Sequence, residues 1–98
     1  MNNTITQEKL EKYFLITGEA LQKAKKALNP LKKKEAADAL DMAQRYHDDA
    51  KHFLAKKNDA VLAFAALNYA HGWLDAGARL GLFLVTDSRL FTVDDNTP

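Results

Sequence analysis

The sequence contains no cysteine, only two prolines and four glycines, and no low-complexity tract. Without thiols there is no disulfide scaffold, no thiolate metal site and no cysteine nucleophile, so the core must come from packing alone. The opening residues, Met1 to Glu8, lack a basic start followed by an apolar stretch, so no secretory signal is expected and a cytoplasmic location is the default. An excess of one charge sign is missing too: 14 Lys and Arg stand against 13 Asp and Glu, a formal +1. On average, then, the chain lacks the strongly basic profile of a dedicated nucleic-acid binder. What is present is 47% hydrophobic and 28% charged residues in 98 positions, enough for one globular domain and too short for two independent cores.

Helical periodicity dominates from residue 5 to about residue 83. Leu10, Tyr13, Phe14, Thr17, Ala20, Leu21, Ala24, Ala27 and Leu28 recur at steps of three and four, with charged residues between them. This predicts a first helix over about 5–28. Thr4 and Gln7 fit a capping box, with Thr6 as the alternative cap, and Asn29-Pro30 stops the helix. Ala36, Ala39, Leu40, Ala43, Tyr46, His47, Ala50, Phe53 and Leu54 repeat the pattern in a second helix over about 33–56, its start placed nearer Glu35 because lysines oppose the dipole there. Lys56-Lys57-Asn58-Asp59 breaks it, and Asn58 or Asp59 can cap the next helix. The loop is short, so the two helices are antiparallel neighbours.

The third helix, about 59–82, is apolar around most of its circumference: Val61, Leu62, Phe64, Leu67, Tyr69, Trp73, Leu74, Leu80 and Leu82. Such a helix is expected to be the most buried of the three. A membrane span is the competing explanation, but Asn68, His71, Asp75 and Arg79 interrupt it, and ionisable groups at mid-bilayer cost roughly 2.5–3.5 kcal/mol each. From residue 83 the pattern becomes extended. Leu90, Phe91 and Val93 are expected to fold back over the bundle, and the last five residues to be mobile.

The run Asn68-Tyr69-Ala70-His71-Gly72-Trp73-Leu74-Asp75-Ala76-Gly77-Ala78-Arg79-Leu80-Gly81-Leu82 resembles the domain-of-unknown-function 357 family, small and largely archaeal helical proteins. The resemblance extends backward through Tyr46, Asp49-Ala50, Phe53 and the Asp59–Ala65 stretch, and forward into Leu90-Phe91-Thr92-Val93. It implies a three-helix up-and-down bundle like that of albumin-binding domains, and brings no reaction, substrate or cofactor. With the periodicity, it makes the expected fold all-α: a three-helix up-and-down bundle with an extended C-terminal tail, one domain over 1–98.

Three groups of residues are candidates for function. Asn68, His71, Asp75 and Arg79 lie at steps of three, four and four, so they share one side of the third helix. An amide, an imidazole and a guanidinium in a row can clamp an anion such as a phosphate or carboxylate. The bland alternative is a solvent-facing edge or a polar network that fixes helix register. Gly72, Gly77 and Gly81 sit in a helical pattern where glycine costs about 1 kcal/mol relative to alanine. Close packing by another element, or a symmetric dimer through the smooth Gly77–Gly81 groove, would explain them, and Gly81 is alternatively a C-terminal cap. Trp73 reads as a core or interface anchor.

Splitting the charge uncovers the third group. Residues 1–34 carry eight lysines and three acids, and residues 35–98 carry six basic and ten acidic residues. Lys23, Lys25, Lys26, Lys32, Lys33 and Lys34 gather at the turn between the first two helices. They form a solvated face or a weak nucleic-acid patch without arginine or interleaved aromatics. Arg45 and His52, with six residues between them, are loosely similar to the arginine–histidine pair of HEPN-type ribonucleases. His47 and His52 are five apart, on diverging faces, a poor spacing for one metal. No cofactor, metal or catalytic residue is expected. The leading reading is a non-enzymatic binding or scaffold module with a protein partner or a second copy. The contrasting one is a small RNA-binding or RNA-cleaving domain.

Overall fold

The computed structural model describes residues 4–92. Three helices, α1 (Gln7–Lys25), α2 (Lys33–Lys57) and α3 (Ala60–Arg79), form a bundle, with one 3₁₀ turn at Pro30–Lys32 between the first two. Each start has a local cause. Thr6, the second of the two candidate caps, accepts the Lys9 amide at 3.1 Å, and Asp59 accepts the Leu62 amide at 3.0 Å. Between α2 and α3, Asn58 takes the left-handed conformation at φ 49° that ends α2. The two-residue connection makes α2 and α3 antiparallel, and theirs is the most extensive contact in the molecule.

α1 stops at Lys25, three residues before the expected end at Leu28. The chain there is taken by a non-local partner: Leu28 and Phe83 form an antiparallel bridge, with the Asn29 amide donating to Leu82 O at 2.8 Å and the Leu84 amide to Ala27 O at 2.8 Å. α2 begins at Lys33, at the expected start of about 33 and not nearer Glu35, because the 3₁₀ turn feeds directly into it. Asn29 holds the junction. Its side-chain nitrogen Nδ2 donates to Gly81 O at 2.8 Å, while its side-chain oxygen accepts the Leu31 amide at 2.9 Å.

The core is built on alanine. Ala20, Ala24, Ala36, Ala39, Ala43, Ala50, Ala63, Ala66 and Ala70 are buried, so the helices can approach closely and contribute little side-chain volume. The volume comes from two places. At one end Leu10 and Leu67 pack with Tyr13, Phe14, Phe53 and Phe64. At the other, Leu21 and Leu74 are joined by Phe83, Leu90 and Phe91 from the segment after α3. This tail is part of the core, as its apolar residues suggest. Val93 and the last five residues lie outside the described residues.

α3 has, as expected, the largest share of buried residues of the three helices, but it is not enclosed on all sides. Its inner side is buried at Ala63, Ala66, Leu67, Ala70, Leu74 and Gly77, yet Val61, Leu62, Tyr69, Trp73 and Leu80 are exposed to 62%, 45%, 64%, 37% and 62%. A three-helix bundle has too few elements to surround one of its members, and the tail packs across only one flank of α3. Among the described residues, no helix is long and apolar enough to cross a membrane.

Candidate functional site

The polar stripe of α3 faces the tail. His71 Nε2 lies 2.6 Å from Leu90 O, and a carbonyl only accepts, so Nε2 carries the proton. In the neutral ring Nδ1 is then an acceptor, and Thr17, almost fully buried on α1, donates its hydroxyl to it at 3.0 Å. One imidazole thus bridges α1, α3 and the tail. One turn on, Asp75 accepts the Thr92 amide at 2.8 Å and the Thr92 hydroxyl at 3.2 Å. Asp75 lies 3.8 Å from His71. The tail is also fastened to α1, where Lys23 donates to Asp87 at 2.8 Å and Arg89 pairs with Glu19. The Lys23 contact, with the Arg89 amide, holds the Asp87 carboxyl below its usual range.

The stripe borders a hollow of about 390 Å³ between α1, α3 and the tail, lined by Tyr13, Ile16, Thr17, Asn68, His71, Gly72, Asp75 and residues 88–92. The hydrogen-bonding atoms of His71 and Asp75 are already engaged, with Thr17 of α1 and with the tail. Asn68 lies exposed at the rim and Arg79 exposed near the helix end, outside this lining. The structure therefore joins His71 and Asp75 into a latch, with Asn68 on the rim of the same hollow.

The three glycines have three different reasons. Gly77 is buried, and a Cβ there would stand 2.2 Å from the Phe83 ring. Gly81, at φ 72°, is the residue after the α3 cap. The Leu82 amide donates to Gly77 O at 2.8 Å and the Gly81 amide to Ala78 O at 3.2 Å, the paired bonds of a Schellman ending. The groove considered for a dimer is already occupied from within the chain, by the Phe83 ring at Gly77 and by the Lys32 side chain beside Gly81. Close packing at Gly72 is corrected as well: an added Cβ would meet nothing within 4 Å. Trp73 is part exposed on the same outer side.

The basic end is reduced by internal work. Lys23 pairs with Asp87, and Lys32 Nζ donates to Leu80 O at 3.0 Å, supplying one of the donors that the α3 C-terminus needs. Lys25, Lys26, Lys33 and Lys34 are exposed around the turn. On α2, Arg45 forms an ion pair with Asp41 at 2.9 Å. His52 is exposed two turns further along, its ring edge-on to Phe53. Among the described residues, no three His, Asp or Glu side chains come together in a way that could hold a metal ion.

His47 deserves a separate account, since its register with Ala43 and Ala50 placed it inward and the structure buries it to 7% exposure. It sits edge-on to Phe14 at 5.9 Å, and a Cβ on Gly18 would be 3.6 Å from its Nε2. Neither ring nitrogen has a hydrogen-bond partner among the described residues. Burial, helped by Lys51, pushes its pKa down, against a smaller opposing pull from Asp48 and the Phe14 main chain. The unfolded chain therefore binds the proton first. Stability is full above the unfolded value of about 6.5 and falls as pH drops below it. Denaturant titrations between pH 7 and pH 5 are expected to show this decline, and His47→Leu to flatten it. Equal slopes in the two proteins would contradict the assignment.

The model of the family described as Protein of unknown function (DUF357) matches residues 12–83. The chain belongs to the DUF357 family. The DUF357 span takes in most of α1, all of α2 and α3, and the Gly77–Phe83 contact, and it ends before Leu90 and Phe91. No curated protein and no solved structure matches the chain.

Proposed function

We propose that the protein is a non-enzymatic binding module whose working surface is the outer face of α3, recognising an apolar helical surface of another polypeptide. The supporting observation is the exposure of Val61, Leu62, Tyr69, Trp73 and Leu80 along one side of a single helix. Contiguous apolar patches of this kind on small proteins mark interaction sites, and Trp and Tyr are the side chains most enriched among binding hot spots. Tyr69 is stacked on Tyr46 of α2, with centroids 5.3 Å apart, so it is held in place before a partner arrives. The polar stripe, first considered as an anion clamp, serves this reading as the support behind the surface: it fixes α3 against α1 and the tail. Thr17 does donate its hydroxyl to the His71 imidazole, but it is almost fully buried and the other ring nitrogen is held by Leu90 O, so the pair serves the fold and is not offered to a substrate.

A photo-crosslinking residue at position 73 is expected to join the chain to another polypeptide in an extract of its own cells, whereas the same group at exposed Gln22 of α1 is not. The captured polypeptide, once purified, should bind the native chain and lose at least about tenfold in affinity to Tyr69→Glu, as removal of a hot-spot residue does. A purified pair indifferent to Tyr69→Glu, or equal capture from both positions, would overturn the reading.

A further inference from the structure

The exposed residues of α3 follow a pattern that reads the same in both directions. Val61, Ala65, Tyr69, Gly72, Ala76 and Leu80 are all exposed, at steps of four, four, three, four and four. At 3.6 residues per turn they fall within about 100° of arc. Small residues run along the middle of the strip, and Leu62, Tyr69, Trp73 and Leu80 form a bulky ridge along one edge. A two-fold axis lying between two facing helices, perpendicular to both and level with residue 71, carries the strip of one copy onto that of the other. In two antiparallel copies related by that axis, Leu62 meets Leu80 of the second copy, Tyr69 meets Trp73, and Ala65 meets Ala76. Aliphatic faces aliphatic, aromatic faces aromatic and alanine faces alanine. An isologous interface requires this self-complementarity, in which residue i contacts j and j contacts i.

Gly72 is the second observation. Glycine inside a helix is unfavourable relative to alanine, and within one chain nothing requires it, since a Cβ would meet open space. Gly77 and Gly81 are explained inside the molecule, and Gly72 is not. A second backbone approaching the strip between Ala65 and Ala76 accounts for it, because small residues at one-turn spacing let two helices come close. The area is sufficient. From their fractional exposures, the five large side chains offer roughly 500 Å² per copy, so two copies bury roughly 1,000 Å², the lower bound of a specific interface, before the alanines and Gly72 are added. The strip carries no charged residue along its centre, only Arg79 at one border, so two copies bring no like charges together at the axis.

We infer that the occupant of this surface is a second copy of the chain, and that the protein forms an antiparallel two-fold dimer through α3. This names the partner in the binding reading above and rests on it.

The test uses the full chain and its molecular mass by light scattering and sedimentation from about 1 μM to 1 mM, a range that spans the affinity expected for an interface near the lower size limit. The native chain is expected to pass from monomer to dimer within that range. Gly72→Leu should stay monomeric throughout while keeping the helical circular dichroism and cooperative melting of the native monomer, since a Cβ there meets nothing within 4 Å and the hollow beside it has room for the rest of the side chain. Ala65→Lys alone and Ala76→Glu alone should each weaken the dimer at least about tenfold. The two together in one chain should restore it, because the axis sets each position against the other on the second copy and not against its own. A native chain that remains monomeric at 1 mM overturns the pairing, as does a dimer unaffected by Gly72→Leu or a double variant no better than the singles. Monomers that sediment with anionic vesicles would assign the strip to a lipid surface instead, and also overturn it. The broader binding reading fails separately, by its own crosslinking and reconstitution result.

Discussion

Phe91→Ala is expected to destabilise the fold by about 3–5 kcal/mol, the range for emptying a buried aromatic site. Phe91 is 2% exposed and packs in the cluster with Phe83, Leu90, Leu74 and Leu21. Its neighbours there include Ala20, Ala24, Ala36, Ala39 and Ala43, which cannot extend into the space it leaves, so little of the cavity collapses. A domain of this size has roughly 5–15 kcal/mol of stability in total, which makes a residue of the irregular tail as consequential as any in the helices. Thermal melting should show a fall of roughly 15 °C or more. A change of only a few degrees would mean that the tail is a covering over the bundle and not part of its core. The latch supports the larger value, because Leu90 O and Thr92 are also the partners of His71 and Asp75.

Gly77→Ala is expected to destabilise by about 2 kcal/mol net. A methyl group there would overlap the Phe83 ring, at 2.2 Å and 2.5 Å from two of its carbons. The ring is 1% exposed and has nowhere to withdraw. Overpacking at the upper end of its usual range costs about 3 kcal/mol, and the better helix propensity of alanine returns about 1. Phe83→Leu provides the check, since the smaller side chain should cost less in the Gly77→Ala background than in the native one. A double-mutant cycle with no coupling between the two positions would refute the contact. Gly72, five residues earlier on the same helix, should tolerate alanine without loss.

These two glycines show where local pattern stops being informative. Both sit in the same helical run at positions that spacing treats alike. One is required by a ring arriving from a different part of the chain, and the other faces open space. The bundle itself was legible because its causes are local: apolar steps of three and four, Asp59 as a cap, Asn58 at a break, Gly81 at an ending. The end of α1 was not, since Leu28 leaves the helix to pair with Phe83, fifty-five residues away, and periodicity registers no such partner. The exposure of α3 was misjudged for a related reason. All-round apolarity is shared by a helix enclosed in its own fold and by one that keeps an apolar face exposed. His71 and Asp75 were correctly placed on one side of α3, but their partners lie in an irregular segment, where no repeat announces what touches what.

The latch also bears on the order in which the fold can be completed. Helical bundles usually fold fast because their contacts are close in sequence. Here the Glu19–Arg89 pair joins residues seventy apart, and Lys23–Asp87 residues sixty-four apart. Pairing of the helices needs only neighbouring segments, whereas filling the alanine-lined end needs residues 87–92 to close loops of sixty to seventy residues. Loop closure of that length is the costlier step, so docking of this segment is expected to limit the rate at which the fold is completed.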